Sequence, residues 1–254
     1  MAEAEFVRAL DRGLAIIQAF SAETPVLTVS EAADATGLSR ATARRFLYTL
    51  EQLDFVRATG RGYQLTAKTL SLGYAYLSSF GLGPIAQPRI DALAAEIREP
   101  VTVSTRSGLS GVCIARADAD RILMAPVMVG TARPLHCSSL GKVLLAHLPD
   151  EQLDDFFARA ELTRFTEHTI SDERALRAEL AGIRAKGWAV SDEEIEEGLV
   201  SVGAPIRRGG EVIAAINAQS HTARTTLAEL IETVLPRVLE TAEAIGTDLA
   251  YTAQ

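Results

Sequence analysis

Apolar residues recur along the first part of the chain at helical steps. Phe6, Leu10, Leu14, Ile17 and Phe20 lie three or four residues apart, which predicts a first helix over 6–20. Thr28-Val-Ser-Glu31 has the form of a capping box, in which threonine hydroxyl and glutamate carboxylate each take a backbone N–H of the other residue. It opens a short second helix through "SEAADAT", which Gly37 ends because glycine accepts the left-handed backbone of a helix terminus. Ser39 then caps a third helix with Ala43, Phe46, Leu47, Leu50 and Leu53 on one stripe. On a helical wheel Arg44, Arg45 and Tyr48 fall on the opposite face, with Arg40 in the first turn.

The period then changes. "FVRATGRGYQL", residues 55–65, is two extended runs about a glycine-rich turn, a hairpin with Arg57 and Arg61 near its tip. Three helices followed by a basic hairpin predict a winged helix-turn-helix over 6–67. Leu70, Gly73, Tyr74 and Leu77 continue as a linker helix over 68–83, which "GLGP" at 81–84 breaks. Pro84 suits the first residue of the next helix, whose Ile90, Leu93, Ala94 and Ile97 face one way.

From 84 to 254 the patterning is mixed. "VTVSTRS", "GVCIAR" and "ILMAPVMV" are β-rich, helical segments follow, and "GWAVS", "LVSVGAPIR" and "EVIAAINAQS" are again extended. Arg208-Gly-Gly-Glu211 is a hairpin turn joining the last two. A closing helix from about residue 225 to 249 buries Leu227, Leu230, Ile231, Val234 and Leu235. Hairpin-paired strands between long helices describe an α+β domain rather than a parallel doubly wound sheet.

Composition narrows the classes. At 254 residues and 48% hydrophobic the chain can bury a core as one large or two smaller domains. No apolar run reaches the ~18 residues of a membrane span, and charges stand where a signal peptide needs an apolar stretch, so a cytoplasmic location and no membrane partner are expected. Cys113 and Cys137 are too few for a disulfide framework and are expected buried and reduced. The four histidines have no ligand spacing, and neither a metal nor any other cofactor is expected.

Charge is uneven. The formal net charge is -8, yet residues 1–80 hold eight basic and eight acidic residues, so the deficit lies wholly in the remainder. Within 39–68 six basic residues face two acidic ones, a basic head on an acidic body. Helix, glycine turn and helix is the spacing of a helix-turn-helix, whose second helix reads base edges in the major groove. Arginine's planar fork matches guanine O6 and N7 as well as phosphate. Ser39, Arg40, Thr42, Arg44, Arg45 and Tyr48, with Arg57 and Arg61 of the wing, form the expected face toward double-stranded DNA.

Several segments in order, "RALDRGLAIIQAF", "SRATARRFLYTLEQLDFV", "RPLHCSSLGKVLLAHL", "GWAVSDEEIEEGLVSVGAPI" and "VIAAINAQS", resemble the IclR-type transcription regulators over nearly the whole chain. The likeness extends to the branch related to PcaU, PcaR and PobR, regulators of aromatic-acid breakdown through the β-ketoadipate pathway. The resemblance implies a GAF-like effector-binding fold for the C-terminal part, and dimers through the N-terminal and linker regions that often pair into tetramers. One winged helix contacts few bases, so a dimer on two-fold half-sites is expected on physical grounds too.

"HCSSLGK", 136–142, is a serine-rich loop opening a helix, whose free N–H groups and dipole favour a carboxylate. The loop resembles the family's effector loop, which makes Ser138 a candidate, and Ser139 and Leu140 match the family's ligand-lining positions, as do Ser201, Asn217 and Gln219. The resemblance points as well to the Ser191–Asp192 pair, where the alignment leaves either residue. Arg133 matches a pocket position that is apolar in some relatives, and its guanidinium would grip a carboxylate in a bidentate pair. For each serine the alternative is a helix-cap or hairpin hydroxyl, and for Arg133 a surface salt bridge. The acidic run Asp192–Glu197 is expected to be a solvated loop at the pocket rim rather than a metal or paired-carboxylate site. Ser139-Leu-Gly-Lys142 also fits the S-x-x-K pattern of serine acyl-hydrolases, the alternative function, but its companion S-D-N and K-T-G motifs are absent.

Overall fold

Thr28 and Glu31 form both halves of the capping box: Oγ1 of Thr28 accepts from the Glu31 N–H at 3.2 Å, and the Glu31 carboxylate from the Thr28 N–H at 2.8 Å. The computed structural model describes residues 6–21, 23–119 and 127–251. They belong to two units, 1–79 and 80–254.

In the first unit, helices Arg8–Gln18, Val29–Thr36 and Arg40–Gln52 precede a three-stranded sheet ordered β1-β3-β2. Strand β1 is Val26–Leu27, β2 Val56–Thr59 and β3 Gly62–Leu65. The hairpin β2–β3 was legible, whereas the two-residue β1 is too short to show a period. Gly37 stands at φ 65° as the second helix ends. Ile16, Ala32, Ala33, Ala43, Leu47, Leu50 and Val56 form the core. The first helix departs from its stripe: Ile16 is its buried residue, while Phe6, Leu10 and Leu14 are exposed, Leu10 at 63%. Leu53, at the end of the third helix, is exposed as well. The helix Leu70–Phe80 follows, with Leu70, Leu72 and Tyr74 exposed.

Gly81, left-handed at φ 64°, separates it from Leu82–Ile97. Pro84 is the third residue of this helix rather than the first, a place where its missing N–H still leaves no intrahelical bond unmade. Six antiparallel strands in the order β6-β5-β4-β9-β8-β7 make the central sheet of the second unit. They are β4 Val101–Ser107, β5 Ser110–Ala117, β6 Ala132–Pro134, β7 Ala189–Asp192, β8 Leu199–Arg208 and β9 Glu211–His221. Most of "ILMAPVMV" lies outside the described residues, and β6 was not anticipated. The closing helix begins with a turn at Leu227–Glu229, passes through a π-helical turn at Leu230–Val234 and continues as Leu235–Tyr251. Its buried stripe runs on from Leu230, Val234 and Leu235 through Val238, Ala242, Ile245 and Leu249, while Leu227 and Ile231 are half-buried.

One face of the sheet is covered by Leu82–Ile97 and the closing helix, the other by Ser139–Ala146 backed by Glu173–Lys186. Ser139–Ala146 seats so closely that a Cβ on Gly141 would lie 2.2 Å from the Leu135 carbonyl oxygen. No helix among the described residues is long and apolar enough to cross a membrane.

Candidate functional site

The third helix begins with its hydroxyls engaged. Ser39 Oγ accepts from the Thr42 N–H at 3.2 Å and shares a hydrogen bond with Thr42 Oγ1 at 2.8 Å, so both residues build the cap. Arg40, Arg44, Arg45 and Tyr48 are exposed. Arg44, Arg45 and Tyr48 line a shallow groove whose other walls are Val29, Thr49 and Tyr63. Those three carry no charge to mark them in the sequence. On the wing Arg61 is exposed at the tip, and Arg57 Nη2 donates to Gln64 Oε1 at 3.0 Å across the strand pair. Lys68 turns back: Nζ donates to the Leu53 carbonyl at 2.8 Å and sits 5.3 Å from the Phe55 ring centre, closing the end of the third helix.

In the second unit strand alternation gathers polar groups on one face. Ser191, Ser201 and Gln219 pair in one row across β7, β8 and β9, and Gly203, Asn217 and Thr102 in the next across β8, β9 and β4. A cavity of about 560 Å³, counting its mouth, opens over these rows. Arg133, Ser138, Leu140, Ser191, Ser201, Asn217 and Gln219 line it; Ser139 and Asp192 do not. Asp192 is exposed. Ser139 lies fully buried behind the wall, its hydroxyl 2.7 Å from Ser201 Oγ and accepting from Asn217 Nδ2 at 3.3 Å. Thr102, Ser104, Thr131 and Ile195, not singled out in the sequence, also line the cavity, as does Cys113, expected only as a buried thiol.

The hydroxyls have separate duties. Ser138 Oγ accepts from the Gly141 N–H at 3.0 Å as the helix cap, and Ser191 Oγ donates to the Cys137 carbonyl at 2.9 Å. The N–H groups of Ser139 and Leu140, in the first turn, take no intrahelical partner. Six buried side-chain polar atoms lack a partner among the described residues, and three line this cavity: Thr102 Oγ1, Arg133 Nε and Asn217 Oδ1. An unpaired buried donor or acceptor costs about 1–3 kcal/mol, which a complementary ligand returns. Arg133 is the one charged side chain among the described lining residues.

Lys142 is not beside Ser139 in function. Its side chain is 1% exposed and its ammonium pairs with Glu194, with Glu179 at 3.9 Å. Ser139 bonds instead to Ser201 and Asn217, so no base attends its hydroxyl and the acyl-hydrolase alternative fails on geometry. The acidic run also departs from a solvated loop: Glu194 is buried, and Ile195 enters the cavity wall. Burial raises the Glu194 carboxyl above the usual range against the opposing pull of Lys142. Burial likewise pushes the Cys113 thiol to about 11 and the Cys137 thiol to about 12, leaving both as inert packing groups. His136 and His147 are held below their ordinary value by burial, each with one ring nitrogen on a backbone carbonyl at 2.9 Å.

Comparison with known proteins adds to this geometry. Residues 9–60 match the IclR helix-turn-helix domain, and residues 74–247 match the bacterial transcriptional regulator IclR C-terminal family. The chain is 38% identical over 249 residues to the Pca regulon regulatory protein of Pseudomonas putida, covering 97% of this chain and 84% of that one. It is 32% identical to the p-hydroxybenzoate hydroxylase transcriptional activator of Acinetobacter baylyi, over 95% of this chain and 91% of the relative. An IclR homolog of Microbacterium hydrocarbonoxydans, solved in complex with 4-hydroxybenzoate, shares the fold at a TM-score of 0.83 and 24% identity, over 96% and 99% of the two chains.

Proposed function

The chain belongs to the IclR family of bacterial transcription regulators, and on that premise we propose that its cavity takes an aromatic carboxylate that controls operator binding. The observation that carries this is Arg133: a guanidinium whose buried Nε has no partner among the described residues, and the one charged group among the described lining of a polar cavity. A carboxylate supplies both the missing acceptor and the missing charge. The free N–H groups at the start of Ser139–Ala146 favour the same anion. Leu140, Ile195 and Leu199 offer apolar contact for a ring, and Asn217 Oδ1 an acceptor for a ring hydroxyl. A relative named as the p-hydroxybenzoate hydroxylase transcriptional activator, and a homologue of the same fold solved with 4-hydroxybenzoate, support the reading.

Arg40, Arg44, Arg45 and Tyr48 are the proposed base-reading face, with Arg57 and Arg61 on phosphate. Ser39 and Thr42 serve by fixing the start of that helix. A second copy covers the apolar residues Phe6, Leu10, Leu14, Leu70, Leu72 and Tyr74, giving the two-fold dimer that half-site recognition requires. The effector binds one arrangement of the paired heads better than another and shifts the population between them.

Calorimetry with 4-hydroxybenzoate, 3-hydroxybenzoate and β-ketoadipate tests the effector reading. Arg133→Ala should weaken the ligand that binds by about 1.5–3 kcal/mol, the loss of a charge-assisted hydrogen bond, with effector-free operator affinity unchanged. Equal affinity in the variant would remove Arg133 from the site.

A further inference from the structure

We propose that the buried Lys142–Glu194 pair is a positioning device for the effector cavity, tying the 193–198 loop to the helix capped by Ser138 so that Ile195 and Ser191 stand in register against the ligand. The inference rests on the cavity being the effector site.

The pair is poorly explained by stability. Lys142 is among the largest fully buried side chains, and Glu194 is 4% exposed with Oε2 lacking any partner among the described residues. Withdrawing two ions from water consumes most of what their attraction returns, and apolar residues of similar volume fill such places as well or better. What an ion pair provides and apolar packing does not is direction. A carboxylate on a fixed ammonium has one seat, whereas hydrophobic contact tolerates sliding.

That seat is where the cavity needs it. Ser191 and Ile195, both on the wall, flank Glu194 in the chain, while Ser138 and Leu140, also on the wall, precede Lys142 on its helix. The outer side of the loop is already fastened: Thr166 Oγ1 donates to the Glu193 carbonyl at 2.7 Å and Thr169 Oγ1 to the Glu194 carbonyl at 2.6 Å. Glu193 holds a left-handed φ of 54° and its carboxylate takes the Gly198 N–H. The inward side is held by Lys142.

The full-length protein carries the test, with calorimetry against 4-hydroxybenzoate, 3-hydroxybenzoate and β-ketoadipate and a melting curve for each variant. The double variant Lys142→Met/Glu194→Met removes both charges at similar volume. It should melt at or above the native temperature and keep its operator affinity, yet bind the effector about tenfold more weakly, the size of one misplaced hydrogen bond. Glu194→Asp keeps the charge on a tether one methylene shorter and should weaken binding by about threefold to tenfold. Native affinity in a folded double variant, or in Glu194→Asp if the double variant does not fold, overturns the proposal. If neither folds, the pair is a stability element and the proposal falls. Arg133→Ala separates the two readings: weakened binding there with native affinity in the pair variants sinks the positioning role alone. No binding of any probe by the native protein, or unchanged affinity in Arg133→Ala, sinks the cavity reading and this inference with it.

Discussion

Arg57 spends part of its guanidinium on Gln64, Arg44 and Arg45 project to solvent, and Arg133 keeps a buried Nε unpaired. These differences set different expected losses. Arg44→Ala or Arg45→Ala should cost about 1–3 kcal/mol on the operator and relax its sequence preference, measured by retardation against altered sites. Arg61→Ala should weaken binding to every sequence and flatten the salt dependence by roughly one unit, as the loss of one phosphate contact does. Operator affinity and selectivity unchanged in both helix variants would undo the reading face. The histidines give a pH dependence of known sign. His136 and His147 bind protons more weakly folded than unfolded, so stability falls once pH drops below about 6.5 and levels off beneath the folded values. Urea unfolding across that window should show stability falling as pH falls, with a slope below about 1.4 kcal/mol per pH unit for each histidine. His136→Gln should remove one histidine's share, and an unaltered slope would show that other groups carry it.

At the scale of elements, strand alternation carried more than first appears. In "VTVS" and "INAQS" the alternate positions hold Thr102, Ser104, Asn217 and Gln219, uncharged polar groups where a solvated face would carry lysine and glutamate. That choice marks a polar face turned inward, and it was the signal by which Thr102 and Ser104 were open to discovery. Ser138 and Ser139 had no such signal, because one cap and one buried bridge differ only in where the helix lands on the sheet. Gly141 decides that landing. Alanine there gains about 1 kcal/mol of helix propensity but places Cβ within 2.2 Å of the Leu135 oxygen. Overpacking against backbone should win, so Gly141→Ala is expected to destabilise the second unit by about 2 kcal/mol net and to lower effector affinity with it. A native melting temperature would show that the helix can shift without harm.

For the whole molecule, the apolar residues the first unit leaves exposed are the main prediction. Leu10→Glu with Leu14→Glu places charges on a helix face that a second copy is proposed to cover. The variant should sediment as a smaller species, and its operator affinity should fall by more than about tenfold, because a single head forfeits the second half-site. An unchanged mass would move the dimer contact elsewhere. The helix expected there is present at Arg8–Gln18, but a stripe of Phe6, Leu10 and Leu14 has helical period whether its partner is its own core or another chain.

The sequence by itself determined what depends on neighbours within a few residues. The Thr28–Glu31 box, the Gly37 stop, the Ser39 cap, the wing and the basic outer face of the third helix follow from local hydrogen bonding and period. So does the α+β character of the second unit, and the order of its motifs carried the family. Tertiary structure decided what depends on residues far apart in the chain. Whether Lys142 would serve Ser139, three residues away, or Glu194, fifty-two away, was a question of which face of the helix met which loop. Burial turned Glu194 from one carboxylate in an acidic run into half of an ion pair. It likewise left Arg133 Nε without a partner among the described residues, as the one charge in their lining of the cavity, since local pattern fixes an element's faces while packing fixes what each face meets.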